Sequence, residues 1–280
     1  MAKHESELER LADALAEGLW RELCLTPKPG LVDLEDSGSH RDLAFRTMER
    51  SIALVRRAFA ELALSLDAGE PLPRQVALGQ RAEQHMLREL GTNTHKGALF
   101  LGGLLLVGRH RAAGDDDASL RAGVAAAARE LHATRAALST HGEDARRQFG
   151  VGGILAEALA GLPSLFDALP AFRAARPRGE DLSAASFAML ARLMQTVEDT
   201  TALHRCGLVG LERIREDGAR LQRLLERSGD HVGFLRGRNA LYRRMDLTMG
   251  GVADLLGMGL GLLAYRGETY PKDRLTVLVE

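Results

Sequence analysis

Apolar residues return at three- and four-residue steps from the first turns of the chain, at Leu8, Leu11, Leu15 and Leu19, the spacing of one buried helix face. Stretches over about 41–66, 74–90, 118–138, 183–198, 206–227, 231–245 and 250–265 read as further helices. No strand–helix alternation interrupts them, which argues against a doubly wound sheet or a βα barrel. Hydrophobic residues make up 45% of the 280 but aromatics only 4%, with Ala and Leu dominant, whereas a β-sandwich would want more Val, Ile, Thr and aromatic side chains. No Ser/Gly/Pro-rich linker or solenoid repeat divides the sequence. The expectation is one all-α domain over 1–280, a multi-helix bundle whose polar loops converge on one cleft. The final Leu275-Thr-Val-Leu-Val279 reads as a short strand or a docked tail.

Charge and cysteine usage exclude several function classes. Formal net charge is −1 with both signs interspersed, so no basic face invites nucleic acid or anionic lipid. The longest apolar run, Ala98–Val107, is about half the ~20 residues a bilayer crossing needs. Residues 1–7 are charged and lack a signal-peptide core. Cys24 and Cys206 fit neither a disulfide framework nor a zinc site. A reducing, cytoplasmic setting is expected, with no nucleic-acid or membrane partner.

Polar clusters fall between the helices. Gly91-Thr-Asn-Thr-His-Lys-Gly97 directly precedes the apolar run. Asn93 or Thr94 can cap a helix there, leaving amides and a positive dipole end beside His95 and Lys96. That arrangement suits an anion, phosphate first; an ordinary capped buried helix accounts for the same residues. It is not a Walker A loop, because Lys96 precedes Gly97. Thr26-Pro-Lys28-Pro-Gly30-Leu-Val-Asp33 is a rigid loop carrying Lys28 and Asp33, and His40 and Arg41 add donors for phosphate oxygens. A proline-stiffened loop with an exposed ion pair is the alternative. His40-Arg41-Asp42-Leu43 echoes a kinase catalytic loop, but Thr47 stands where Asn is required, and that reading is rejected.

Glu83 could ligate a magnesium ion carried by a polyphosphate, or be a solvated helical carboxylate. In Glu198-Asp199-Thr200-Thr201-Ala-Leu-His204-Arg205-Cys-Gly207, a helix would put Thr201 with Arg205 and Thr200 with His204, with Asp199 elsewhere. Gly142-Glu143 and Gly250-Gly251-Val-Ala-Asp254 say little alone. Together the clusters provide cations for a polyphosphate and carboxylates for magnesium or acid–base work. They describe a helical protein acting on a phosphorylated small molecule.

One further step comes from resemblance. The ordered set Thr26–Asp33, Gly38-Ser-His40-Arg-Asp42, Ala82-Glu83, Asn93-Thr-His-Lys-Gly97, Gly142-Glu143, Glu157-Ala158 with Gly161-Leu-Pro163, Asp199-Thr200 with His204-Arg205, and Gly250-Gly251 with Ala253-Asp-Leu-Leu256 resembles the triphosphoribosyl-dephospho-CoA synthase family over about residues 20–262. The resemblance implies a single-domain all-α fold and an unusual use of ATP. Its ribose C1′ is joined to the 2′-hydroxyl of 3′-dephospho-CoA, adenine leaves, and the triphosphate stays. The product is the prosthetic-group precursor of an acyl-carrier subunit of citrate lyase or malonate decarboxylase, and Thr140-His-Gly142 with Leu203-His-Arg205 leans to the latter.

On this resemblance ATP and 3′-dephospho-CoA are the substrates, Mg2+ accompanies ATP, and a homodimer is compatible. Lys28, His40, Arg41, Asn93, His95, Lys96, Glu143, His204 and Arg205 become candidates to bind substrate. Asp33, Glu83 and Asp199 become candidates for acid–base work, with Glu83 and Asp199 also for the metal. Three departures stand out: Gly153-Ile154-Leu155 where the family shows Gly-Ala-Arg, Thr201 where it shows Asn, and Asp246-Leu-Thr-Met-Gly-Gly251 where it shows Asn-x-Ser-Pro-Gly-Gly. If activity is retained, Arg146 or Arg147 is expected to replace the guanidinium missing at Leu155. A divergent paralogue acting on another acceptor, and a catalytically inactive nucleotide-binding module, are the competing readings.

Overall fold

Ser6 starts the first helix. Its hydroxyl accepts the Glu9 amide at 3.0 Å while the Glu9 carboxylate accepts the Ser6 amide at 2.8 Å, satisfying two donors that a helix start leaves unpaired. From this cap runs α1 (Glu7–Cys24), with Leu8, Leu11, Leu15 and Leu19 buried along one face as their spacing requires. The computed structural model describes residues 5–134, 152–175 and 182–269. Ten more helices follow among the described residues: α2 (Phe45–Asp67), α3 (Leu72–Leu90), α4 (Lys96–Arg111), α5 (Asp117–Thr134), α6 (Gly153–Leu159), α7 (Pro163–Ala175), α8 (Ser183–Thr196), α9 (Thr200–Glu226), α10 (His231–Met245) and α11 (Gly250–Tyr265). No strand occurs among the described residues. The fold is all-α.

An apolar cluster running from Leu8 to Leu263 holds the helices together. The run Ala98–Val107 forms most of α4, which is apolar nearly all round and buries Leu101, Leu104, Leu105 and Leu106, as a central helix should. α11 crosses α1 at unusually short range. A Cβ on Gly18 would lie 2.1 Å from the Gly257 carbonyl oxygen, and one on Gly261 would lie 2.7 Å from Leu15 Cα. Glycine is therefore required on both sides of the crossing.

α9 departs from the spacing. It begins at Thr200 rather than near 206, because Asp199 caps it through the Thr201 and Ala202 amides. Gly207 is non-helical at φ 62° and ψ −160° and kinks α9, so that a short stretch from Thr200 and a longer one beyond residue 207 meet there. The Asp115–Asp117 run is a turn and helix start, with Asp116 accepting the Ser119 amide at 2.9 Å. Among the described residues no single helix is long and apolar enough to cross a membrane. The expected end of α5 near 138 and the Leu275–Val279 segment lie outside the described residues.

Candidate active site

Three helices begin at one place. α4, α9 and α11 start at Lys96, Thr200 and Gly250, and two carboxylates tie their amide ends together. Asp199 Oδ1 accepts the Thr201 and Ala202 amides at 2.9 Å each, and its Oδ2 accepts the Val252 amide of α11 at 2.9 Å. Asp254, one turn into α11, lies against α4: its Oδ2 would stand 2.0 Å from a Cβ on Gly97, and the Ala98 amide donates to it. Unpaired amides and aligned peptide dipoles make such ends attractive to negative charge.

Lys28 lies under this junction and is fully buried. Its ammonium donates to the Glu22 carbonyl and stands 2.9 Å from Glu22 Oε1. Asp33 folds the loop on itself: Oδ2 accepts the Lys28 amide at 2.7 Å, and Oδ1 accepts those of Glu35 at 2.8 Å and Asp36 at 3.2 Å. Burial raises the pKa of both Glu22 and Asp33, with the Lys28 charge opposing it. Gly30 takes a left-handed φ of 70° and passes so near the Leu247 carbonyl that a Cβ would lie 2.4 Å from it. Its amide donates to Asn239 Oδ1 at 3.0 Å, fixing the loop to α10.

At the start of α4, neither Asn93 nor Thr94 acts as the cap. Asn93 is exposed, and the Thr94 hydroxyl is turned away to Ser51 and to Met86 Sδ. His95 occupies the N-cap position without a side-chain cap bond. It is 2% exposed, its Nδ1 sits 2.7 Å from Ser51 Oγ, and its Nε2 has no partner. Burial first, then the Lys28 charge, lowers its pKa to about 4, so the imidazole is neutral at pH 7. Lys96 is exposed, with its ammonium 3.2 Å from Glu83 Oε2 on α3. The two residues chosen separately from the sequence thus meet.

A second cluster joins the 37–42 loop to α9 and to the α10–α11 connection. His40 Nε2 lies 3.0 Å from Thr248 Oγ1. Arg205 Nη1 donates to the Ser39 carbonyl at 2.9 Å and to Asp246 Oδ1 at 3.2 Å. Burial, then the Arg205 charge, lowers the His40 pKa. Arg41 and His204 are exposed on the same two segments. On the other side of Asp199 a cavity of about 330 Å³ is lined by Glu157, Ser164, Glu198, Thr200, Arg215 and Gly251. Glu157 accepts the Ser164 amide at 2.6 Å and hydroxyl at 3.1 Å, and burial raises its pKa.

The model of the ATP:dephospho-CoA triphosphoribosyl transferase family matches residues 8–273. The chain belongs to this family. A relative from Azotobacter vinelandii, named a probable 2-(5''-triphosphoribosyl)-3'-dephosphocoenzyme-A synthase, is 37% identical over 91% of this chain and 90% of its own. Relatives of the same name from Pseudomonas paraeruginosa and Stutzerimonas stutzeri are 36% and 35% identical, over 91% and 92% of this chain and 90% and 92% of theirs. No solved structure matches.

Within this triphosphoribosyl transferase fold, Lys28, Asp33, Glu83, His95, Lys96, Asp199 and Arg205 lie on or beside the helix junction. Glu143, with Arg146 and Arg147, falls outside the described residues. Sequence reasoning gave no role to Glu22, Ser51, Thr248 or Asp254. The first three are partners made only by tertiary contact. Asp254 carried a readable signal, since it is the lone charged residue of α11, and a charge in so apolar a helix seldom goes without a task. The proposed metal ligands differ in fit. Asp199 is buried, and each of its oxygens already accepts a backbone amide. Glu83 is partly exposed. Among the described residues no group of three or more His, Cys, Asp or Glu could hold a metal.

Proposed function

We propose that this chain transfers the 5-triphosphoribosyl group of ATP to the 2′-hydroxyl of 3′-dephospho-CoA, releases adenine, and so makes the prosthetic-group precursor of an acyl-carrier subunit of malonate decarboxylase or citrate lyase. The observation that carries the reading is the family match over residues 8–273, joined by relatives of one name along nine-tenths of the chain.

The geometry supports a division of labour. Cleaving the bond between ribose C1′ and adenine builds positive charge at C1′, which fixed carboxylates stabilise. Exposed Lys96, with Arg41 and Asn93 on neighbouring loops, suits the triphosphate at the open side of the α4 start. Magnesium held by the triphosphate would neutralise part of its charge, and Glu83 is the carboxylate placed to face it. Arg205 and His40 fix the 37–42 loop to α9 and the α10–α11 connection. Lys28 and Asp33 act from below, as the frame of their loop. Asp199 orients the amides of α9 and α11.

Incubating the purified protein with ATP, magnesium and 3′-dephospho-CoA should release free adenine and give a product that retains the triphosphate, by chromatography and mass. ADP or pyrophosphate in place of adenine would overturn the reading. The departures at Leu155, Thr201 and Met249 favour a second one, in which the same donor chemistry serves another acceptor. Adenine release with a different hydroxyl acceptor but not with 3′-dephospho-CoA would select it.

A further inference from the structure

We propose that Asp254 is a catalytic residue of this transfer, the carboxyl group that hands a proton to the departing adenine. The proposal rests on the transferase reading above.

Three carboxylates converge below the start of α4: Glu22 from α1, Asp199 from the cap of α9, and Asp254 from one turn into α11. Two of them are fully committed. Glu22 is buried against the Lys28 ammonium at 2.9 Å. Asp199 is buried, with Oδ1 shared by two amides of α9 and Oδ2 held by Val252 of α11. Asp254 is half-buried. No ion pair reaches it among the described residues, and the Ala98 amide is the backbone group that donates to it. Its approach to α4 is permitted only because residue 97 is glycine, since any Cβ there would meet Oδ2 at 2.0 Å. A carboxyl group held this close to the Lys96–Gly97 turn, with no ion pair to fix it among the described residues, is placed to act rather than to brace.

The surroundings decide which form it takes. Around this junction the adjoining elements bring Glu22, Lys28, His95, Lys96 and Asp199, of which Glu22 and Asp199 act on Asp254. Lys28 is already engaged by Glu22, Lys96 faces Glu83, and His95 is neutral. Burial, then the charges of Glu22 and Asp199, raise the pKa of Asp254 well above that of an ordinary aspartate, which favours the protonated form. A retained proton is what a purine leaving group needs. In the step, the C1′–N9 bond breaks and its electron pair passes to adenine, whose ring takes the Asp254 proton. The acceptor hydroxyl oxygen bonds to C1′ and releases its proton to water, from which Asp254 is recharged. Adenine leaves neutral and no net proton is consumed.

The test is Asp254→Asn, which keeps the shape and removes the acid. Adenine release should fall by about a hundredfold or more, while ATP affinity by calorimetry stays within threefold and the melting temperature is unchanged or higher. Purine riboside 5′-triphosphate, whose base is the better leaving group, should lose less on this substitution than ATP does. Equal losses with both donors, or a rate within threefold of wild type, would overturn the proposal. Should the variant fail to fold, Gly97→Ala, which displaces the carboxyl group, must show the same unequal loss between the two donors; equal losses there overturn it too. Absence of adenine release from the wild type would instead strike the transferase reading itself.

Discussion

Lys28 and Glu22 face each other at 2.9 Å, and neither side chain has meaningful contact with solvent. Removing one partner of such a pair strands the other charge in a poorly solvating interior, at a cost of about 3–5 kcal/mol. Lys28→Met should therefore lower the unfolding free energy by that amount in urea denaturation, and adding Glu22→Gln should recover part of it. Unchanged stability together with weakened ATP binding would show that the ammonium is a ligand instead.

Asp199 closes two helix starts with one side chain. Asp199→Ala should destabilise the protein by about 2 kcal/mol, the upper range for a lost cap. Hydrogen exchange should accelerate at the amides of Thr201, Ala202 and Val252 together. Because its oxygens hold backbone amides, activity lost in this variant should not return at high magnesium. Recovery under magnesium would contradict the assignment.

Lys96 offers the opposite contrast. Its side chain is 54% exposed and its contact is Glu83 at 3.2 Å. Lys96→Ala should leave the melting temperature nearly unchanged and weaken ATP binding by roughly 1.5–3 kcal/mol, the range of a charge-assisted hydrogen bond. Calorimetry showing full ATP affinity would remove Lys96 from the binding site.

His95 couples the site to pH. Its pKa in the fold is about 4 against the usual 6.5, so as pH falls the unfolded chain takes the proton first. Its contribution is complete above about 6.5 and is lost as pH falls through that span to 4, amounting to roughly 3 kcal/mol. Glu22, Asp33, Asp199, Asp254 and Glu157 run the other way, because raised carboxylate pKa values favour the native state as pH falls. The measurement is therefore a difference. His95→Gln should lose less stability than wild type between pH 6.5 and 4, and parallel curves would refute the neutral buried imidazole.

Helices with a strong apolar period were legible from the sequence because burial of one face is a local pattern. α10 and α11 begin and end as the spacing indicates, and α1 shows its leucine stripe. Local reasoning failed where a tertiary partner intervened. Thr94 resembles a cap by type, but Ser51 on α2, 43 residues away, takes its hydroxyl. Lys28 resembles an exposed phosphate ligand by its loop, but Glu22, six residues earlier, draws it inward. The periodic signal of α9 belongs to the stretch beyond the Gly207 kink, while Asp199 launches a separate short stretch upstream. Glu83 and Lys96 were chosen singly, and only the packing of α3 beside the α4 turn makes them a pair.

The glycine-paved crossing of α1 and α11 has a consequence for how the enzyme can move. With Gly18 against Gly257 and Gly261 against Leu15, the two backbones meet with little side chain between them to absorb a slide or a tilt. α11 is held by this crossing like an anvil, and Gly251, Val252 and Asp254 are carried at its near end. Any closure around two large substrates is then left to elements away from this crossing, such as the Glu83–Lys96 pair that joins α3 to the start of α4.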